Sequence, residues 1–162
     1  MTILAHDLVE EPAGASYSEL LAAALPSCDR ALLVVRDSRA LTTSGVQALA
    51  ALQPFLIASD RRSVWPGTRL FSGLVDVHSL EFHSQSASVL SALVHRLYDW
   101  VDPDLPADLS LLRPDRRPWM VTVAHEQLGY LCLDADEVRR VRTAVPSMVL
   151  SEGRALVDEG RH

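Results

Sequence analysis

The segment Asp102–Glu137 constrains the fold of this chain most, because it contains three short apolar runs divided by turn residues. The runs are Leu109–Leu112, Trp119–Ala124 and Tyr130–Leu133, and each has the length of a strand. Residues 114–117 (Pro-Asp-Arg-Arg) separate the first two runs and favour a tight turn. Strands joined by short connections pair antiparallel, so the sequence predicts a β-meander of three strands.

Two further segments have strand character. Arg30–Arg36 is a continuous apolar run, typical of a strand that is buried on both faces. Leu74–His83 alternates only loosely between apolar and polar residues, which indicates a strand with a bulge near His78 and Ser79, or two strands. Between these segments, residues 65–68 (Trp-Pro-Gly-Thr) predict a type II turn, because proline fixes the first central torsion and glycine allows a positive second one.

Helical patterns surround these strands. Capping-box spacing occurs at Ser16-x-x-Glu19 and again at Asp134-x-x-Glu137, and Pro54 should bend or divide the helix that contains it. The predicted helices are Ser16–Leu25, Gly45–Ser59, Ala87–Trp100, a helix that begins at Asp134, and a last helix over Met148–Gly160. Because helices first alternate with strands and a meander then follows, we predict an α+β fold. Its central sheet is largely antiparallel and includes the C-terminal three-strand meander, with helices packed mainly on one face.

The length of 162 residues and the hydrophobic fraction of 48% are typical of one globular domain, which we predict over residues 1–162. Residues 1–15 and 150–162 are expected to be peripheral to its core. No apolar run approaches the roughly 20 residues of a membrane span, and the first residues lack the pattern of a signal peptide. We therefore expect a cytoplasmic protein without a membrane partner.

The charge balance is acidic, with a formal net charge of −6 at pH 7, and all 15 basic residues are arginine. These arginines form only short clusters, so a nucleic-acid partner is disfavoured and a basic protein partner is favoured. No glycine-rich phosphate loop and no GxSxG motif occurs, and no cofactor is predicted. Cys28 and Cys132 belong to no CxxC motif, and we expect Cys132 to be a small buried side chain.

His125 and Glu126 directly follow a predicted strand and could form an acid–base pair. A pocket beside His78 or His83 would complete such an enzyme site. The alternative is a polar junction between strand and turn, with a solvated glutamate. A zinc-binding HExxH motif would need histidine where Gly129 stands, and no metal site is predicted.

The candidate partner-binding residues come from an acidic run over residues 99–108 and from the turn over residues 65–68 with the arginine that follows it. An acidic loop with apolar neighbours suits docking to a basic protein, and tryptophan and arginine dominate interface hot spots. The alternative is that the aspartates act as turn and cap residues, while the tryptophan packs as a lid over the edge of the core. The candidates are Trp65, Arg69, Asp99, Asp102, Asp104 and Asp108.

Five short sequences between residues 60 and 137, namely WPGT, LYDW, PDLPADLSLLR, PW and VAHE, resemble an arrangement that recurs in uncharacterised small bacterial α+β proteins. That resemblance implies no catalytic residues. A small acidic chain without a recognisable active site is also similar to the immunity proteins of bacterial toxin systems, which bind and block a toxin.

These patterns together predict a non-catalytic protein-binding module, of immunity or accessory type for a bacterial toxin or enzyme. One alternative is a small-molecule-binding protein or hydrolytic enzyme with a His125/Glu126 site. Another is a homodimer whose apolar surface is its own interface.

Overall fold

The computed structural model describes residues 2–156, which contain four α-helices and nine β-strands. The helices are α1 (Ala15–Ala24), α2 (Thr43–Leu52), α3 (Ser84–Leu93) and α4 (Ala135–Ala144). The strands are β1 (Leu4–Asp7), β2 (Arg30–Val35), β3 (Leu56–Arg62), β4 (Val64–Trp65), β5 (Thr68–Arg69), β6 (Val75–Glu81), β7 (Ala107–Leu112), β8 (Pro118–Val123) and β9 (Leu128–Leu133). Short 3₁₀ turns occupy residues 53–55, 97–99 and 124–126. None of the described helices has the length and apolar content that a membrane crossing requires.

Seven of the described strands form one sheet in the order β1-β9-β8-β7-β2-β6-β3, and each neighbouring pair runs antiparallel. The short strands β4 and β5 form a separate hairpin. The predicted meander is confirmed as β7, β8 and β9, which lie side by side in chain order. The predicted α+β class with a largely antiparallel sheet is confirmed as well.

Alternating side chains of the sheet enter two separate cores. Along β2, Ala31 and Leu33 join the larger core, which contains buried residues from all four described helices. Leu32 and Val34 join a smaller core on the opposite side, which is closed by Trp65 of the hairpin. We call the side of Leu33 the helix face and the side of Leu32 the open face. Helices on one face and a β2 strand buried on both faces agree with the sequence prediction.

The predicted helix over Gly45–Ser59 is wrong in its second half. Helix α2 ends at Leu52, a 3₁₀ turn follows, and Leu56 already begins β3, which pairs with β6 at the edge of the sheet. Pro54 removes a backbone donor and crowds the preceding turn, so the α-helix stops there. The short apolar run after Pro54 fits a helix or a strand, and the pairing with β6 decides between them.

The helix predicted over Ala87–Trp100 begins earlier and ends earlier, at Leu93. Extended backbone and a 3₁₀ turn then bring Trp100 into the core, where its indole Nε1–H donates to the Tyr17 hydroxyl at 3.0 Å. The Tyr17 hydroxyl in turn donates to the carbonyl of Leu90 at 2.9 Å. Because a continuous helix would carry Trp100 away from Tyr17, burial of this aromatic pair outweighs the helical propensity of the segment.

Two local predictions are corrected by backbone geometry. Strand β6 pairs with β2 without interruption, so no bulge forms at residues 78–79, and the irregularity lies in β3 next to Ile57. Ser16 does not cap α1, because Gly14 occupies the N-cap position. The Ser16 hydroxyl instead donates to the carbonyl of Ala13 at 2.9 Å, within the turn that leads into the helix.

The predicted last helix does not form within residues 148–156. Leu150 and Arg154 make isolated antiparallel bridges to the segment that contains β1, so this stretch runs along the outer edge of the sheet. Residues 157–160 of that prediction lie outside the described residues. Elsewhere in the core, Cys28 and Cys132 are buried, which agrees with the prediction for Cys132.

The capping box predicted for α4 is confirmed, and it belongs to a larger polar network. The Asp134 carboxylate accepts from the Glu137 amide at 2.9 Å, and the Glu137 carboxylate accepts from the Asp134 amide at 3.1 Å. The same Glu137 carboxylate, only 5% exposed, forms a bidentate ion pair with Arg113 at 2.8 and 3.0 Å. Burial alone would raise the pKa of Glu137, but these hydrogen bonds and the Arg113 charge hold that pKa below its usual range. The network ties the start of α4 to the end of β7.

We expect Glu137→Ala to lower the free energy of unfolding by about 3 kcal/mol, because it leaves the Arg113 guanidinium buried without its ion-pair partner. The pKa of Glu137 is lower in the folded than in the unfolded protein, so the stabilisation is present at neutral pH. It is lost as the pH falls through the folded-state pKa of Glu137. Urea unfolding of wild type and variant, at neutral pH and at about pH 3, measures both effects.

The matched control is Asp136→Ala, an exposed position in the same helical turn. It should change stability by less than about 0.5 kcal/mol. Equal losses from the two variants, or a difference that does not shrink at acid pH, would contradict the assigned role of Glu137.

Candidate functional site

A groove of about 810 Å³ lies on the open face of the sheet, beside the β4–β5 hairpin. Its lining residues come from β3, β6, β2, β7, β8 and β9, from the hairpin, from the turn that contains Arg116 and from Leu156, so the groove crosses the sheet. Small and apolar side chains of the sheet form its floor, and the hairpin forms one wall. The floor residues are Leu32, Ala58, Ser79, Leu112, Pro118 and Cys132.

The hairpin reaches the sheet through a tight turn with one glycine. Trp65 and Pro66 line the groove, and Gly67 follows with a φ angle of 84°. A Cβ atom at Gly67 would lie 2.8 Å from a methyl carbon of Val121 and 3.1 Å from a methyl carbon of Val123. Only glycine therefore permits both the torsion and the close approach. A turn with a left-handed glycine, as the sequence predicts, seats the hairpin on β8.

Arg36, directly after β2, connects the hairpin to the sheet. Its guanidinium lies 5.3 Å from the centre of the Trp65 ring, and its Nη2 donates to the buried carboxylate of Asp108 at 3.3 Å. The Arg36 Nε atom also lies 3.6 Å from the carboxylate of Asp102. Asp108 has a left-handed backbone, with φ of 59°, and accepts the amide of Ala124 at 2.9 Å. Both oxygens of the Asp108 carboxylate therefore have internal partners.

Three arginines and one aspartate line the groove, although the whole chain has a net charge of −6. Arg62 lies 3.1 Å from Asp60, the one carboxylate among the lining residues. Arg116 lies 3.4 Å from Asp29, and about half of each of these two side chains is exposed. The groove is thus a locally cationic region on an acidic protein.

Arg30 is the third arginine of the groove, and it is half-buried at the start of β2. Within residues 2–156, its side chain has no hydrogen-bond or ion-pair partner. Its cross-strand neighbours are Glu81 on β6 and Leu112 on β7. The Glu81 carboxylate lies 3.5 Å from the His83 imidazole instead. Arg30 therefore presents its charge to the groove.

The structure brings three of the predicted partner-binding residues together, but as an internal cluster. Trp65 is only 3% exposed, which matches the lid that the sequence offered as the alternative to an exposed contact. Asp108 is buried and Asp102 is half-buried, and both lie beside Arg36. The exposed members of the predicted set are Arg69, Asp99 and Asp104.

His125 and Glu126 lie on an exposed turn, with His125 Nε2 3.8 Å from Glu126 Oε1 and at least half of each side chain exposed. Neither residue lines the groove. Strand β6, which carries His78 and leads to His83, is three strands away from β8, which leads to His125. Burial on the helix face lowers the pKa of His78, against the raising effect of Asp76. His125 is therefore separated from His78 and His83 by roughly 14 Å of sheet.

A metal centre is not assembled in the described part of the chain either. Over residues 2–156, no three histidine, cysteine, aspartate or glutamate side chains are grouped as a metal ion would need.

Local sequence patterns do not reveal the groove. Ala58, Asp60 and Arg62 form its β3 end, and the prediction of a helix through Ser59 hides their common face. Once Pro54 is taken to end the helix, the alternate spacing of Ala58, Asp60 and Arg62 indicates that their side chains share one face of a strand. The sequence of one strand does not show which other strands lie beside it in the sheet.

No protein-family model matches the chain, and neither the curated proteins nor the solved structures contain a match.

We expect Trp65→Ala to lower the free energy of unfolding by about 3 kcal/mol, because it removes a large buried ring and the aromatic face beside Arg36. Arg69→Ala is the matched control, since Arg69 is exposed on the second strand of the same hairpin. It should change stability by less than about 0.5 kcal/mol. Urea denaturation followed by circular dichroism compares the two variants, and similar losses would contradict the role of Trp65 as a buried lid.

Proposed function

We propose that this protein is a non-catalytic protein-binding module that holds an extended segment of its partner in the open-face groove. The observation that carries the proposal is the groove itself, about 810 Å³ in volume, on the face of the sheet opposite the described helices. An immunity or accessory protein for a bacterial toxin or enzyme would use such a groove to hold its partner.

The length of the groove supports a peptide segment as its occupant. Most of the lining residues come from six adjacent strands, in the order β3-β6-β2-β7-β8-β9. Neighbouring strands lie about 4.8 Å apart, so the five intervals span roughly 24 Å. An extended chain rises about 3.3 Å per residue, and roughly seven residues would fill that length. A compact small molecule would leave most of the groove empty.

The apolar surface of the groove also supports binding to a protein segment. Val64, Pro66 and Pro118 line the groove and are only half-buried, so they offer apolar area that a partner can cover. Two of the three are prolines, whose backbones are already restricted. Covering a preformed surface of this kind costs little conformational entropy.

The two other surfaces that the sequence indicates have less support. A general base must come within hydrogen-bond reach of a bound substrate, and the His125–Glu126 pair lies on an exposed turn outside the groove lining. Docking of a basic protein on the acidic run would use Asp102 and Asp108, which already lie beside Arg36. The groove is therefore the surface on which the proposal rests.

Selection from a phage-displayed random library, with peptides of roughly twelve residues, tests the proposal because this length exceeds what the groove accommodates. We expect the enriched peptides to bind the purified protein and to lose at least about tenfold in affinity to the variant Ser79→Phe, equivalent to about 1.4 kcal/mol. Ser79 lies half-buried on the groove floor, and phenylalanine suits a strand while filling the groove.

The matched control is Ser59→Phe, an exposed position on the neighbouring strand β3, opposite His78 in the register and on the other face from Ala58. It should leave the affinity for the selected peptides unchanged. The proposal fails if no peptide is enriched, or if the selected peptides bind Ser79→Phe as tightly as wild type.

A further inference from the structure

The charges around the groove indicate what kind of segment it accepts. We infer that the partner segment is acidic, and that Arg30 pairs with one of its carboxylates. This inference rests on the proposed use of the groove for docking a protein segment. The net charge of the chain favours a basic partner, but three of the four charged side chains that line the groove are arginines, which favours an acidic segment there.

Arg30 carries the inference, because it is a half-buried cation that lines the groove. A guanidinium has five N–H donors and recognises carboxylates in a bidentate geometry. The side chain of Arg30 has no hydrogen-bond or ion-pair partner within residues 2–156. A carboxylate that enters the groove would supply that partner in a place partly shielded from water, where the attraction is stronger than at the open surface.

The neighbours of Arg30 do not compete for its charge. Glu81 is its cross-strand neighbour on β6, but 60% of the Glu81 side chain is exposed and its carboxylate lies beside His83. On the other side, the cross-strand neighbour is the apolar Leu112. The sheet thus places Arg30 next to the groove without a fixed counter-ion.

The other two arginines extend the positive region. Arg62 and Arg116 each contact one carboxylate, at 3.1 Å from Asp60 and 3.4 Å from Asp29. A single contact of this kind leaves guanidinium donors available for a second carboxylate. The three arginines come from β3, from β2 and from the turn between β7 and β8, so positive charge is spread along the groove.

The arrangement of the arginines and the apolar hairpin wall defines a pattern for the segment. Successive side chains of an extended chain point to opposite sides. Acidic side chains on the side that faces the sheet would reach the arginines, while apolar side chains on the other side would contact Val64 and Pro66 of the hairpin wall. A segment with alternating acidic and apolar residues is therefore complementary to the groove.

Fluorescence anisotropy with a labelled peptide of about eight residues, alternating glutamate and leucine, tests the inference. Two matched peptides carry glutamine or lysine in place of each glutamate. We expect wild type to bind the glutamate peptide at least about tenfold more tightly than the glutamine peptide, and the lysine peptide most weakly.

Arg30→Glu should weaken binding of the glutamate peptide at least about tenfold and should strengthen binding of the lysine peptide. The matched control is Arg142→Glu, which makes the same change in net charge at an exposed site of α4, on the helix face and outside the groove lining. We expect Arg142→Glu to leave both affinities within about twofold of wild type.

Equal affinity of wild type for the glutamate and glutamine peptides would overturn the acidic segment while leaving the groove as a docking site. Equal weakening by Arg30→Glu and Arg142→Glu would overturn the role of Arg30. If none of the three peptides binds although library-selected peptides do, the acidic pattern is wrong and the proposed function stands. Failure of the library selection as well would overturn the proposed function itself.

Discussion

The side chain of Arg36 holds together the parts of the structure that define the groove. Its guanidinium lies beside the ring of Trp65 on the hairpin and pairs with the buried carboxylate of Asp108 on β7, while its own backbone follows β2. A carboxylate removed from water needs a compensating charge, and the cation in turn attracts the face of the tryptophan ring. One side chain thus fixes a hairpin whose two strands are only two residues long each.

The groove follows from how the two faces of the sheet are covered. Buried residues of all four described helices belong to the core on the helix face. The open face also carries apolar side chains, such as Val34 and Val77, and the hairpin covers these with Trp65. A short hairpin is too small to cover seven strands, so part of the open face remains as a groove. Its apolar side chains that remain partly exposed include Val64, Pro66 and Pro118.

The acidic character of the chain and the cationic character of the groove are compatible, because charges act mainly over short distances in salt solution. Two aspartates of the acidic run, Asp102 and Asp108, lie beside Arg36 within the protein. Arg30 has no such internal partner among the described residues. Net charge therefore describes the whole surface, whereas the proposed recognition at the groove would depend on which charges remain unpaired there.

Local signals in the sequence predict the meander, the β2 strand, the glycine turn of the hairpin and the capping box of α4, because each depends on residues a few positions apart. The sequence by itself therefore determined the fold class and most of the individual elements. Tertiary structure alone decided that β3 is a strand, since pairing with β6 settles a local ambiguity, and that Trp100 leaves its predicted helix to meet Tyr17. It also decided that Arg30, Arg62 and Arg116 line one groove, because strand order brings together residues whose relation has no local signature in the chain.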